Sequence, residues 1–124
     1  VSTVTLTFDD FESTITGNPV VIVDFWAAWC GPCRAFAPVF EKSAQAHPDI
    51  VHAKVDTEAE QELAAALQIR SIPTVMAFRD GVLVYSQPGA MPQAVLEELI
   101  TKIKALDMAE VRATIAARKA GSDA

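Results

Sequence analysis

Cysteine is scarce in this chain, with two residues in 124. So low a count excludes a small secreted scaffold held together by several disulfides. Positive charge is short as well. Ten Lys and Arg stand against sixteen Asp and Glu, giving a formal net charge of −6. No basic stripe is present to follow a phosphate backbone, so no nucleic acid is expected as a partner. Long apolar runs are missing. A stretch such as Pro19–Val23 is stopped by Asp24, far short of the ~20 residues that span a bilayer, and no membrane partner is expected. No charged-then-apolar leader opens the sequence, so a cytoplasmic location is expected. Histidine is limited to His47 and His52, and no internal repeat or low-complexity tract divides the chain. The length suits one domain.

Hydrophobic residues make up 51% of the chain, enough at this length to bury a core without staples or metal. Their periodicity alternates between two kinds. Thr3–Thr7 alternates and predicts a short strand. Residues 8–16 predict a helix, with Asp9 and Glu12 spaced as a capping-box variant, and Gly17, Asn18 and Pro19 end it. Val20–Ala27 is apolar and β-branched except at Asp24, the pattern of a strand covered on both faces. Residues from Cys33 to about His47 read as a helix with a kink at Pro38. Ile50–Asp56 reads as a strand, and residues 58–68 as an amphipathic helix with an acidic start. Residues 74–86 predict two strands joined at Asp80-Gly81, a strong hairpin signal. Residues 91–106 predict a helix with Pro92 in its first turn. Asp107 and Glu110 mark the start of a short alanine-rich helical tail. The order βαβαβαββα plus tail predicts a mixed central sheet with helices on both faces. Phe25, Phe36, Phe40 and Phe78 are expected in the core.

The two cysteines lie in Trp29-Cys30-Gly31-Pro32-Cys33, where the strand ending near Ala27 runs into a helix. Cys30 is thus placed at a helix N-terminus, where unsatisfied N–H groups and the helix dipole favour a thiolate, the reactive form of cysteine. Cys33 follows one turn later on the same face. Residues spaced i,i+3 have Cβ atoms about 5–6 Å apart, close to what a disulfide needs. Gly31 permits close approach of another backbone, and Pro32 fixes φ where no helical N–H is required. In the resulting mechanism, Cys30 attacks a substrate disulfide to form a mixed disulfide. Cys33 then attacks Cys30 and releases the reduced substrate. Two other readings compete. A purely structural disulfide would close too small a loop to stabilise much. Zinc needs four ligands; His47 lies roughly 20 Å along the helix from Cys33 at 1.5 Å per residue, and His52 opens the next strand at the same far end. No metal site is expected.

The stretches Val23–Arg34, Ser71–Thr74, Phe78–Gly81 and Pro88–Ala90 resemble the thioredoxin family, in order and at suitable spacing, over roughly Val4–Leu106. A C-x-x-C pair beside a βαβ pattern is itself a thioredoxin-like signal. The resemblance implies an α/β thioredoxin fold, with a central mixed five-stranded sheet flanked by helices. It also implies a thioredoxin domain over 1–106, which leaves 107–124 as a C-terminal helical extension. The implied activity is protein disulfide reduction that maintains cell redox homeostasis. The expected partners are disulfide-containing proteins and an NADPH-dependent flavoprotein thioredoxin reductase. No bound cofactor is expected beyond the redox-active Cys30–Cys33 disulfide, and the chain is expected to be a monomer.

Residue roles follow from the same resemblance. Asp24 matches an aspartate behind the second cysteine that relays its proton; burial of such a carboxylate favours its protonated form. Pro73 matches a cis proline packed against the cysteines, although most X-Pro bonds are trans. The Ile72 backbone matches one that pairs with an extended substrate segment. Trp29, Gly31, Pro32, Ile72, Pro73, Gly89 and Ala90 would form an apolar rim around Cys30. Lys54 matches a lysine near Asp24, and Trp26 is expected in the core or as a support beneath the loop. Two features depart from the family. Ala27 and Ala28 leave the loop uncharged where an acidic residue is common, and the tail is additional. Exchange chemistry also leaves an oxidase or isomerase open, and a binding module with incidental catalysis is a reading of another class.

Overall fold

The computed structural model describes residues 2–123. The first strand, β1, is only Val4–Thr5, shorter than the alternation of Thr3–Thr7 predicts. It is cut short because Thr7 becomes the N-cap of α1 (Phe8–Gly17). The capping box is Thr7 with Asp10, whose Oδ1 accepts the Thr7 N–H at 2.7 Å. The expected Asp9–Glu12 pair was two residues late. Next come β2 (Val20–Trp26), α2 (Gly31–Ala46) and β3 (Val51–Asp56). α2 begins earlier than Cys33, with Cys30 as its N-cap, and runs through Pro38. α3 is Gln61–Ala66, only the middle of the expected helix. β4 (Thr74–Arg79), β5 (Val82–Pro88), α4 (Gln93–Lys104) and α5 (Met108–Asp123) complete the chain. Pro92 caps α4 rather than entering it. At 16 residues α5 is as long as α2, longer than a short tail.

The five strands form one sheet in the order β1-β3-β2-β4-β5. β1, β3 and β2 are parallel, while β4 runs antiparallel to both β2 and β5. Asp80 and Gly81 both have positive φ, 52° and 79°, the two-residue turn that matches the twist of a hairpin.

Side-chain parity divides the core in two. Val21, Val23 and Phe25 of β2 pack with Phe11 and Ile15 of α1 and Leu63 of α3. Val20 and Ile22 pack on the other face with Phe36 and Phe40 of α2 and Leu96, Ile100 and Ile103 of α4. The expected core phenylalanines are all buried. β2 is therefore covered on both faces, which is why it reads as an unbroken apolar run. Asp24 shares the parity of Val20 and Ile22, so it projects toward the layer that holds α2. Among the described residues no helix is long and apolar enough to cross a membrane.

Candidate active site

β2 ends at Trp26 and α2 starts at Gly31, leaving four residues to turn the chain. The register of β2 on β3 sets Trp26 beside Asp56, so the residues following each strand meet. The Thr57 N–H and Oγ1 both donate to the Trp26 carbonyl, at 2.9 and 3.0 Å. The exposed Trp29 indole donates to Glu58 Oε1 at 2.8 Å. From the other side Arg34 donates to the Ala28 carbonyl at 2.8 Å, and the Cys30 N–H reaches the Ala27 carbonyl at 3.2 Å. Thr57, Glu58 and Arg34 were missed in the sequence. For Thr57 and Glu58 the signal is the parallel pairing of β2 with β3, which brings 57–58 alongside 27–30; Arg34 is placed by the first turn of α2, directly after Cys33. Glu58 brings a carboxylate to the uncharged Ala27-Ala28 loop from the β3 side.

Cys30 and Cys33 form a disulfide with Cα atoms 5.2 Å apart. The Cys33 N–H donates to Cys30 Sγ at 3.2 Å, one of the otherwise unsatisfied donors of the first helical turn. Exposure of the two residues differs little, 4% for Cys30 and 2% for Cys33. Cys33 is the deeper of the two. The Ile72-Pro73 bond is cis, and the Ile72 carbonyl oxygen lies 3.7 Å from Cys30 Sγ. Gly89, at φ +104°, donates its N–H to the Pro73 carbonyl at 2.7 Å. Such a φ suits glycine. Gly31, Pro32, Gly89 and Ala90 are exposed, and Ile72 is half-buried.

Asp24 is fully buried, and neither carboxylate oxygen has a hydrogen-bond partner among the described residues. Desolvation pushes its pKa up from 3.8 to about 7; Lys54, its register partner on β3, pulls weakly the other way. Lys54 Nζ sits 4.8 Å above the Trp26 ring. Trp26 is half-buried and joins neither apolar cluster, so it roofs the end of the sheet rather than filling the core. The histidines are engaged elsewhere. His52 contacts Ser43 Oγ at 2.9 Å, and His47 contacts Glu97 at 2.7 Å. Among the described residues no group of three or more His, Cys, Asp or Glu is arranged to hold a metal ion.

The sequence model of the family described as Thioredoxin matches residues 2–102. The chain belongs to the thioredoxin family. A Streptomyces coelicolor chain assigned as thioredoxin 2 is 54% identical over 119 residues, covering 96% of this chain and 89% of that one. The thioredoxin of Alicyclobacillus acidocaldarius is 42% identical over 103 residues, 82% of this chain and 98% of its own. Among solved structures, a mutant thioredoxin from Halobacterium salinarum superposes with a TM-score of 0.78 at 33% identity. That match covers 86% of this chain and 94% of the other. Plasmodium falciparum thioredoxin gives 0.74 at 36% identity, over 80% and 97%. The fold is the thioredoxin fold, and the activity is that of a thiol–disulfide oxidoreductase working by dithiol–disulfide exchange through Cys30 and Cys33. Thioredoxins use the cysteine pair itself, with no bound cofactor.

Proposed function

We propose that this thioredoxin-family chain works as a cytoplasmic, monomeric reductant of protein disulfides. The Cys30 thiolate attacks one sulfur of a substrate disulfide and expels the other as a thiolate. Cys33 then attacks Cys30 Sγ, which expels the second substrate sulfur. The protein dithiol becomes the Cys30–Cys33 disulfide, and the substrate gains two electrons and two protons. An NADPH-dependent flavoprotein thioredoxin reductase restores the dithiol. The carrying observation is the position of Cys30 at the N-cap of α2, with the Cys33 N–H directed at its sulfur. Both features stabilise negative charge on Cys30.

Asp24 serves as the proton acceptor for Cys33 in the release step. Its burial, its pKa near 7 and its place on the α2 side of β2 support that role, because a base works best with a pKa close to ambient pH. Lys54 and Trp26 tune and cover this acid. Trp29, Gly31, Pro32, Ile72, Pro73, Gly89 and Ala90 form the rim that substrates meet, with the Ile72 backbone pairing to an extended segment. Residues 1–106 are the working domain, and 107–124 an extension.

The test is reduction of insulin by NADPH, a thioredoxin reductase and this chain, monitored as NADPH consumption. Turnover that Cys30→Ser abolishes is expected; equal NADPH consumption by that variant refutes the reading. The reduction potential of the pair separates a reductase from an isomerase. It should lie well below the about −180 mV of protein disulfide isomerase.

A further inference from the structure

Beside the disulfide lies an open cleft of 290 Å³, lined by Trp29, Thr57, Ile69, Arg70, Ser71 and Ile72. It touches the redox pair through Ile72, whose carbonyl oxygen stands next to Cys30 Sγ. One wall is fixed, because Trp29 is 66% exposed yet tied through its indole N–H to Glu58. The neighbouring peptide groups are largely occupied. Thr74 Oγ1 donates to the Ser71 carbonyl at 2.6 Å, and the Gly89 N–H to that of Pro73 at 2.7 Å. The Ile72 N–H has no partner among the described residues, which leaves it open to the segment proposed to pair there. Arg70 is the only charged residue lining the cleft. It is exposed, and its guanidinium has no ion pair or hydrogen bond among the described residues. By contrast Arg34 is committed to Ala28, Arg79 to the end of α4, and Arg112 to Asp80.

We infer that Arg70 selects disulfide substrates carrying a carboxylate about two residues from the cysteine under attack. The inference rests on the reductase reading above. Two residues of chain span at most about 7 Å. Arg70 lines the cleft two residues before Ile72, so a segment paired at Ile72, with its cysteine at Cys30, presents an acidic side chain two positions away to the wall that carries the Arg70 fork. Guanidinium binds carboxylate through two parallel N–H···O bonds. The choice is local, because the net charge of −6 repels acidic substrates at long range and only a short-range cation can reverse that. No atom of Arg70 enters the exchange.

The probes are blocked nonapeptides with one cysteine, oxidised to symmetric disulfides, with Glu, Gln or Lys two residues before or after the cysteine. Each disulfide takes two electrons from the protein dithiol and yields two peptide thiols. Initial rates with the pre-reduced full chain are followed by chromatography of quenched samples. At low ionic strength, one of the two Glu peptides should react roughly three- to fivefold faster than its Gln counterpart, the size of an exposed charge pair. The ratio should fall toward one at 1 M salt, where the screening length is about 3 Å. Arg70→Gln should abolish the ratio, and Arg70→Glu should invert it in favour of Lys. Equal rates for Glu, Gln and Lys at both positions overturn the inference while leaving the reductase reading intact. Failure of the Gln peptides to be reduced at all would instead strike at the parent reading. A preference for Glu that survives in Arg70→Gln also overturns it.

Discussion

Asp24 shows how one residue couples stability to chemistry. Its folded pKa of about 7 lies above its ordinary 3.8. The proton is therefore held more tightly in the folded state, and stability from this group is complete below pH 4. It declines as pH rises toward 7, by about 4 kcal/mol in total, and levels off above. Equilibrium unfolding in urea at pH 4 and pH 8 should show this loss in the natural chain and not in Asp24→Asn. Equal slopes for the two proteins would mean that Asp24 is ionised in the fold. In single-turnover assays the same variant should slow release of the mixed disulfide by on the order of a hundredfold, the usual scale for a lost general base. Cys33→Ser should stop at the mixed disulfide on Cys30, visible as a substrate adduct by mass spectrometry under non-reducing conditions. An adduct on Ser-bearing protein that resolves at the natural rate would reassign the second step.

Arg79 belongs to the scale of elements. It ends β4, yet its Nη1 donates to the carbonyls of Ile103 and Lys104 at 2.7 and 3.2 Å and to that of Leu106 at 3.4 Å. They lie in the last turn of α4 and just past it, where carbonyls lack their usual i+4 donors; that of Ile103 also accepts the Leu106 N–H at 3.3 Å. Arg79→Ala should lower stability by about 2 kcal/mol, the range for a charge-assisted bond to partly buried acceptors. A shifted urea midpoint with unchanged reductase activity would show this; an unmoved midpoint would make the cap decorative. At this scale much of the structure was legible. β2 and β4 carry β-branched and apolar runs, Asp80-Gly81 is a turn by chemistry alone, and Cys30 caps the helix it was expected to cap. What was not legible depends on neighbours. β1 shrinks because Thr7 is taken by α1. The start of the expected α3, residues 58–60, is drawn into the turn where Asp56 Oδ1 accepts the N–H of Glu58 and Ala59, and its end stops at Leu67, before Gln68 at φ 57°. Glu58 and Thr57 join the site only through strand register, which no local pattern encodes.

At the scale of the molecule the sheet has two functional ends. The start of β4 adjoins Pro73 and the disulfide. Its other end, about 17 Å away at 3.4 Å per residue, leads to the hairpin where Arg112 of α5 pairs with Asp80. α5 docks there through buried Met108 and half-buried Val111, while Ile115 stays exposed. The family match ends at residue 102. Removing residues 107–124 should cost about 2 kcal/mol, roughly the burial of one methionine, and leave the rate of insulin reduction within twofold. A tenfold loss of rate at full folding would place the tail in the catalytic face.

The distance between those ends also sets how the chain can be mounted. Copies tethered to a common support through α5 would all present their sulfurs outward. Clients attached to the same support would then meet them at an effective concentration governed by tether length rather than by diffusion from bulk solution.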